Sequence, residues 1–327
     1  MSCVMATLAH DTTPDVVSSR ALAGLGFAVL SAASFGLSGA LARGLLDTGW
    51  TPGAVSLLRI AIAAAVVAPF GAVALRGRWH LLRRNLRGLL FYGIVAVAMP
   101  QFSYFSAVAH TQVAPALLIE FTAPAAVVLF LWLRRGERPS RVTVGGALLA
   151  ALGLVLVLDL VSGADLSAVG VAWAMVAMIG CATYFLLSAD DTGLPPIALA
   201  GGGMLVAAVA LALLGLVGLL DMRAATVDVD LAGTAVAWWV PVVLLGVVTA
   251  AVSYVAGIAA IRRLGSRLAS FVALLEVVSG VLWAWFLLGE LPHAAQLLGG
   301  ALILAGVVGV KLGERATSVA HPAVRER

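Results

Sequence analysis

The sequence predicts an all-α integral membrane protein whose ten transmembrane helices form two inverted five-helix repeats. Three observations predict it. Of 327 residues, 62% are hydrophobic and 11% charged, against roughly half apolar and a quarter charged in an average soluble domain. Ten apolar runs follow one another with short polar breaks, and a spanning helix needs about 20 such residues. Short motifs from the first half of the chain recur in the same order in the second.

The runs fall at 21–42, 53–75, 88–109, 112–133, 142–160, 168–188, 195–220, 234–261, 266–288 and 294–312. The breaks carry turn residues or charge: Gly49 to Pro52, the basic stretch Arg76 to Arg87, Arg134 to Arg141, Ser162 to Leu166, Asp190 to Pro196, Asp221 to Asp230, and Gly289 to His293. Residues 1–19 hold Asp11 and Asp15 and lack a signal-peptide pattern, so they read as a mobile cytoplasmic tail. Residues 20–160 then form a first repeat, 168–314 a second, and 315–327 a further cytoplasmic tail.

An even number of spans puts both ends of the chain on one side, which the distribution of basic residues can identify. Seventeen of the 20 lie on the side of the termini; Arg43 and Arg223 lie opposite, and Arg59 is within the second span. The positive-inside rule therefore predicts an inner-membrane protein with both termini cytoplasmic. The net charge of +4 is spread over short loops, which excludes a nucleic-acid partner. Cys3 and Cys181 have no CxxC spacing or neighbouring His, so no metal, disulfide or other cofactor is expected.

Glu120 precedes a span that ends at Gly136-Glu137-Arg138-Pro139 and is followed by Gly145-Gly146-Ala147-Leu148. Glu276 likewise precedes Gly289-Glu290-Leu291-Pro292 and Gly299-Gly300-Ala301-Leu302, at offsets of 156, 153 and 154 residues. Five spans per half is an odd number, so the second half must be inverted relative to the first.

The segments that carry these motifs, Trp132 to Leu158 and Leu287 to Val310, resemble the EamA family of the drug/metabolite transporter superfamily. Ser56 to Val67 around Arg59 and Ala251 to Glu276 are similar to it too. Ala116 to Pro124 looks most like the subgroup of threonine and homoserine exporters. The resemblance covers residues 20–314 and implies a secondary transporter that exports small polar metabolites such as amino acids. One departure is that Val277 follows Glu276 where the family often has proline, which puts a proline-induced break there in question.

Charged groups inside a bilayer are costly unless paired or solvated, so they mark candidate functional sites. At about 1.5 Å per residue, Glu120 lies about 4 Å from the middle of its span, Glu276 about 2 Å, and Arg59 about 7 Å outward of its own. One reading has the glutamates bind a proton or a cationic amine, because a carboxyl group withdrawn from water takes up a proton readily. The other has Glu120 form a fixed ion pair with Arg59. Gln101, Tyr104, Tyr184, Ser253, Tyr254 and Trp283 are candidate substrate contacts, with Ser103, Thr183 and Thr249 as further polar candidates. Pro69, Pro100, Pro124 and Pro241 are expected to kink their helices. Gly145, Gly146 and Gly153 should pack against Gly299, Gly300 and Gly306, and Gly201 to Gly203 is a candidate gate. Trp238 and Trp239 read as interfacial anchors.

The only lysine is Lys311 and no phosphate-cradling Gly-x-x-x-x-Gly-Lys motif occurs, which excludes an ATP-driven pump within this chain. The five histidines are scattered over tails and loops, so an enzyme is not expected. The partners expected are a small-molecule substrate, the lipid bilayer and protons.

Overall fold

The computed structural model describes residues 14–110, 119–136, 138–157, 167–288 and 294–320. Glu137 and the whole Gly289 to Pro292 motif lie outside the described residues. Eleven helices occur among the described residues: α1 (Pro14–Asp47), α2 (Pro52–Ala74), α3 (Trp79–Arg84), α4 (Leu86–Ala107), α5 (Ala123–Arg135), α6 (Arg141–Val157), α7 (Ala168–Ala189), α8 (Pro196–Leu216), α9 (Trp239–Leu264), α10 (Ser266–Leu287) and α11 (Ala294–Ala320). Seven are long and apolar enough to cross a membrane. The other three expected spans coincide with the shorter apolar stretches in α5, α6 and α11.

Local chemistry sets several of these bounds. Thr51 caps α2, its hydroxyl accepting from the Ala54 amide, and Pro52 takes the first helical position, where no amide donor is needed. Gly136 ends α5 with φ +70°, a left-handed conformation that glycine adopts without strain. The run expected at 112–133 is interrupted by a turn at Phe121–Thr122, and Pro124, which has no amide hydrogen to bond the preceding turn, sits in the first turn of α5. Pro241 also falls in a first turn, that of α9, so it does not kink the helix interior.

Two further departures are instructive. The eighth run was expected from residue 234, yet Thr234–Val236 pairs with Val229–Leu231 as a hairpin, β2 with β1. Alternation explains it: Val229 and Leu231 point into the protein, Asp230 points out, and Ala232 and Gly233, both at positive φ, form the tight turn. The ninth run breaks at Ala273–Leu274 without a proline, and helix resumes at Leu275 just before Glu276.

Helices α4 and α9 each contain a π-helical stretch, Tyr92–Ala98 and Val247–Val252. Around them, α1 packs on α9 and α10, α7 packs on α4 and α5, α2 lies against α8, and α6 against α11. Glycines bring the last two pairs into backbone contact. A methyl at Gly201 would meet Ala68, and one at Gly306 would lie 2.6 Å from the Gly146 carbonyl oxygen. Of the expected glycines, Gly146, Gly153, Gly299 and Gly306 form the α6–α11 contact. Gly145 faces open space and Gly300 faces Val278 on α10 instead. The Gly201 to Gly203 run is packed under Ala68, Leu89 and Tyr92 rather than standing free.

The two ends of the bundle differ. At one end the α1–α2 turn is bonded to the segment before the hairpin: Thr51 Oγ1 donates to the Asp221 carbonyl (2.7 Å) and Trp50 Nε1 to that of Ala225 (2.8 Å). Val229, Leu231, Trp50, Leu41, Leu45 and Phe105 share one apolar cluster there, with Trp238 packed on it and Trp239 left exposed. The other end is arginine-rich. Asn85 donates to the Thr192 carbonyl (3.1 Å), Arg262 to that of Leu194, and the Arg263 guanidinium lies over Phe27.

Replacing Gly306 with Val should lower the unfolding temperature of the detergent-solubilised protein, costing about 1–3 kcal/mol through overpacking. Gly145→Ala, which meets nothing, should leave it close to the parent value. Equal effects of the two would contradict the α6–α11 contact.

Candidate functional site

A cavity of about 100 Å3 lies between α1, α4, α7, α9, α10 and the start of α5. On α9 its wall runs from Tyr254 to Ile261, shortly before the helix ends at Leu264. On α10 it runs from Ala269 to Glu276, shortly after the start at Ser266. It therefore sits toward the arginine-rich end, with the apolar cluster and hairpin closing the other.

The sequence-predicted residues divide cleanly. Gln101, Glu120, Tyr184, Tyr254 and Glu276 are brought together on the wall. Gln101 Nε2 donates to the Tyr254 hydroxyl at 3.2 Å, tying α4 to α9 across the cavity. Rings from three helices form its aromatic side: Tyr254 meets Phe35 edge-on at 5.3 Å and Tyr184 at 5.4 Å. A side chain at Gly257 would collide with the Tyr184 hydroxyl, so α9 needs glycine there to admit the ring. The Tyr184 hydroxyl is buried and has no hydrogen-bond partner among the described residues.

Tyr104, Ser253 and Trp283 do not line this cavity. Tyr104 lies one turn beyond Gln101 and packs against the apolar cluster of the sealed end. Ser253 is fully buried and its hydroxyl returns to the Val248 carbonyl (3.1 Å), an acceptor within the π-helical stretch. Trp283 Nε1 donates to the Ala33 carbonyl (2.9 Å), fastening α10 to α1. Thr249 and Thr183 likewise bond back to their own helices, and Ser103 is buried away from the wall.

Arg59 is 3% exposed. Its Nη2 donates to the Thr249 carbonyl at 2.7 Å, and the Phe35 ring lies 5.7 Å from the guanidinium carbon. No ion pair joins it to Glu120 or Glu276 among the described residues; of the two readings of Glu120, the fixed pair with Arg59 is not formed, and Arg59 bonds a carbonyl in the π-helical stretch. Its charge nevertheless acts on both carboxyl groups, and on Tyr254 and Tyr104. Each glutamate adjoins a helix break, Glu120 just before Phe121–Thr122 and Glu276 just after Ala273–Leu274.

Sequence reasoning missed Phe35, Ser31, Cys181 and Phe185 on the wall. Ser31 carried a signal as a hydroxyl within an apolar run; its Oγ donates to the Ser253 carbonyl (2.9 Å). The others are apolar or weakly polar residues in apolar helices and carried none.

Apolar helices around a cavity with ionisable walls, beside interrupted backbones, fit a membrane transport protein. Residues 22–159 and 168–312 each match the EamA-like transporter family, and the chain belongs to that family. An uncharacterized transporter of Archaeoglobus fulgidus is 31% identical over 225 residues, which cover 69% of this chain and 75% of the relative. A crystal structure of a further protein superposes with a TM-score of 0.72, covering 92% of this chain and 99% of the other at 24% identity, a likeness of fold. The protein is thus a multi-pass membrane transporter of the EamA family and not an enzyme.

Gly257→Val should drive the Tyr184 ring into the cavity and abolish transport in reconstituted liposomes. Gly26→Ala, where a methyl meets nothing, should leave the rate within about two-fold of the parent, a tolerance expected of a substitution that moves no neighbour.

Proposed function

We propose that this protein is a secondary transporter for small polar metabolites that carry an ammonium group, the class to which amino acids belong. It works as an exporter by alternating access, with protons exchanged at Glu276 and Glu120. The observation that carries this reading is the placement of both carboxyl groups on the wall of one aromatic-lined cavity. A carboxylate held there binds either a proton or an ammonium group, and the two compete.

The halves that would move against each other are residues 20–160 and 168–314. Their inverted relation is supported by the pairing of helices: α1 on α9 and α10 is matched by α7 on α4 and α5, while α2–α8 and α6–α11 pair across the halves. The distribution of arginine supports an inner-membrane orientation with cytoplasmic termini. In that orientation the cavity lies toward the cytoplasm and the hairpin seals the outside.

The test is counterflow in proteoliposomes, which needs no driving force, followed by transport under an imposed pH gradient. Glu276→Gln removes a proton site while keeping the shape of the side chain. The expected result is counterflow that persists at saturating substrate, with loss of acceleration by the pH gradient. Acceleration equal to that of the parent would reject proton exchange at Glu276 and leave an uncoupled facilitator.

A further inference from the structure

The wall of the cavity is chemically one-sided. It carries two carboxyl groups, the Gln101 amide and the hydroxyls of Tyr184, Tyr254, Ser31 and Ser270, yet no lysine, arginine or histidine among the described residues. Arg59 is close but is not on the wall: its Nη2 is committed to the Thr249 carbonyl, and Phe35, which does line the cavity, lies against the guanidinium. A substrate carboxylate entering here would lose its hydration and meet two acids with no cation to offset the loss. A substrate ammonium group would meet two acceptors, and its body would meet the rings of Phe35, Tyr184 and Tyr254, whose faces attract cations. The Tyr184 hydroxyl, buried without a partner on this wall, is an additional polar contact awaiting a ligand.

We infer that the cavity selects organic amines that lack a free carboxylate, and that zwitterionic amino acids bind it poorly. This rests on the reading that transport runs through this cavity, and it narrows that reading to a substrate class. Charge counting gives the same answer. When both carboxyl groups are ionised, one Arg59 cation against Glu120 and Glu276 leaves one net negative charge, which a monovalent amine or a single proton neutralises and a zwitterion does not. Tyr104, Tyr184, Tyr254 and Cys181 are the remaining titratable groups that interact with these charges, and none of them is cationic.

Three ligands separate the possibilities, because they share one phenyl ring: 2-phenylethylamine, phenylalaninamide and phenylalanine. Full-length protein in liposomes preloaded with 2-phenylethylamine is assayed for counterflow of the labelled amine, with each compound as competitor. The amine and the amide should compete at least ten-fold more strongly than phenylalanine. Glu276→Gln and Glu120→Gln, each checked for a monodisperse elution profile, should weaken competition by the amine ten-fold or more. Phenylalanine competing as well as its amide, or unchanged amine affinity in both folded variants, would overturn the inference while leaving the transporter reading intact. No exchange of any of the three, nor of a wider panel of labelled amines and amino acids, by folded protein would overturn both.

Discussion

A guanidinium buried in the apolar part of a helical bundle must be bonded and charge-balanced, and the centre of this protein is arranged around that requirement. Arg59 on α2 reaches the Thr249 carbonyl on α9, is covered by Phe35 on α1, and acts on the carboxyl groups of Glu120 and Glu276. Four segments from both halves of the chain thus answer to one side chain. An ordinary α-helix commits its carbonyls to its own amides. The acceptor lies in residues 247–252, which are wound as a π-helix, a rare form concentrated at functional sites.

The same constraint explains where the backbone departs from regular helix. Away from water every amide and carbonyl needs a partner, so interruptions are tolerated where they line a cavity or are bonded by side chains. The breaks at Phe121–Thr122 and Ala273–Leu274 adjoin the two glutamates on the cavity wall. Ser31 answers the Ser253 carbonyl, and the Ser253 hydroxyl answers that of Val248. The periphery is held differently: α6 with α11 and α2 with α8 are in backbone contact through glycines. Rigid pairs around irregular central helices are a suitable build for two packings that exchange, since close-packed contacts move as units.

The two ends of the bundle are closed by different parts. At one, an apolar cluster and a hairpin whose Val229 and Leu231 are buried are joined by bonds from Trp50 and Thr51 to loop carbonyls. At the other, Asn85 and Arg262 bond loop carbonyls beside a smaller apolar cluster of Leu75, Leu194 and Ala198. Apolar closure resists opening in proportion to the area it buries, and single hydrogen bonds add about 0.5–1.5 kcal/mol each. The cavity lies nearer the arginine-rich end.

Membership of the membrane class, the positions of the apolar runs and the presence of Glu120, Glu276 and Arg59 within them were legible in the chain alone. These are one-dimensional properties: a bilayer demands long apolar stretches, and a charge within one stands out against them. Which residues share a wall was not legible. Gln101 lines the cavity and Tyr104 does not; Tyr254 does and Ser253 does not. Successive residues on a helix point about 100° apart, so a small rotation or a single π-turn reassigns every side chain to a new neighbour. That rotation is set by packing against helices from the other half of the chain, more than a hundred residues away in sequence. Tertiary contact alone therefore decided that Arg59 bonds a carbonyl instead of a carboxylate, and that the two glutamates face one cavity.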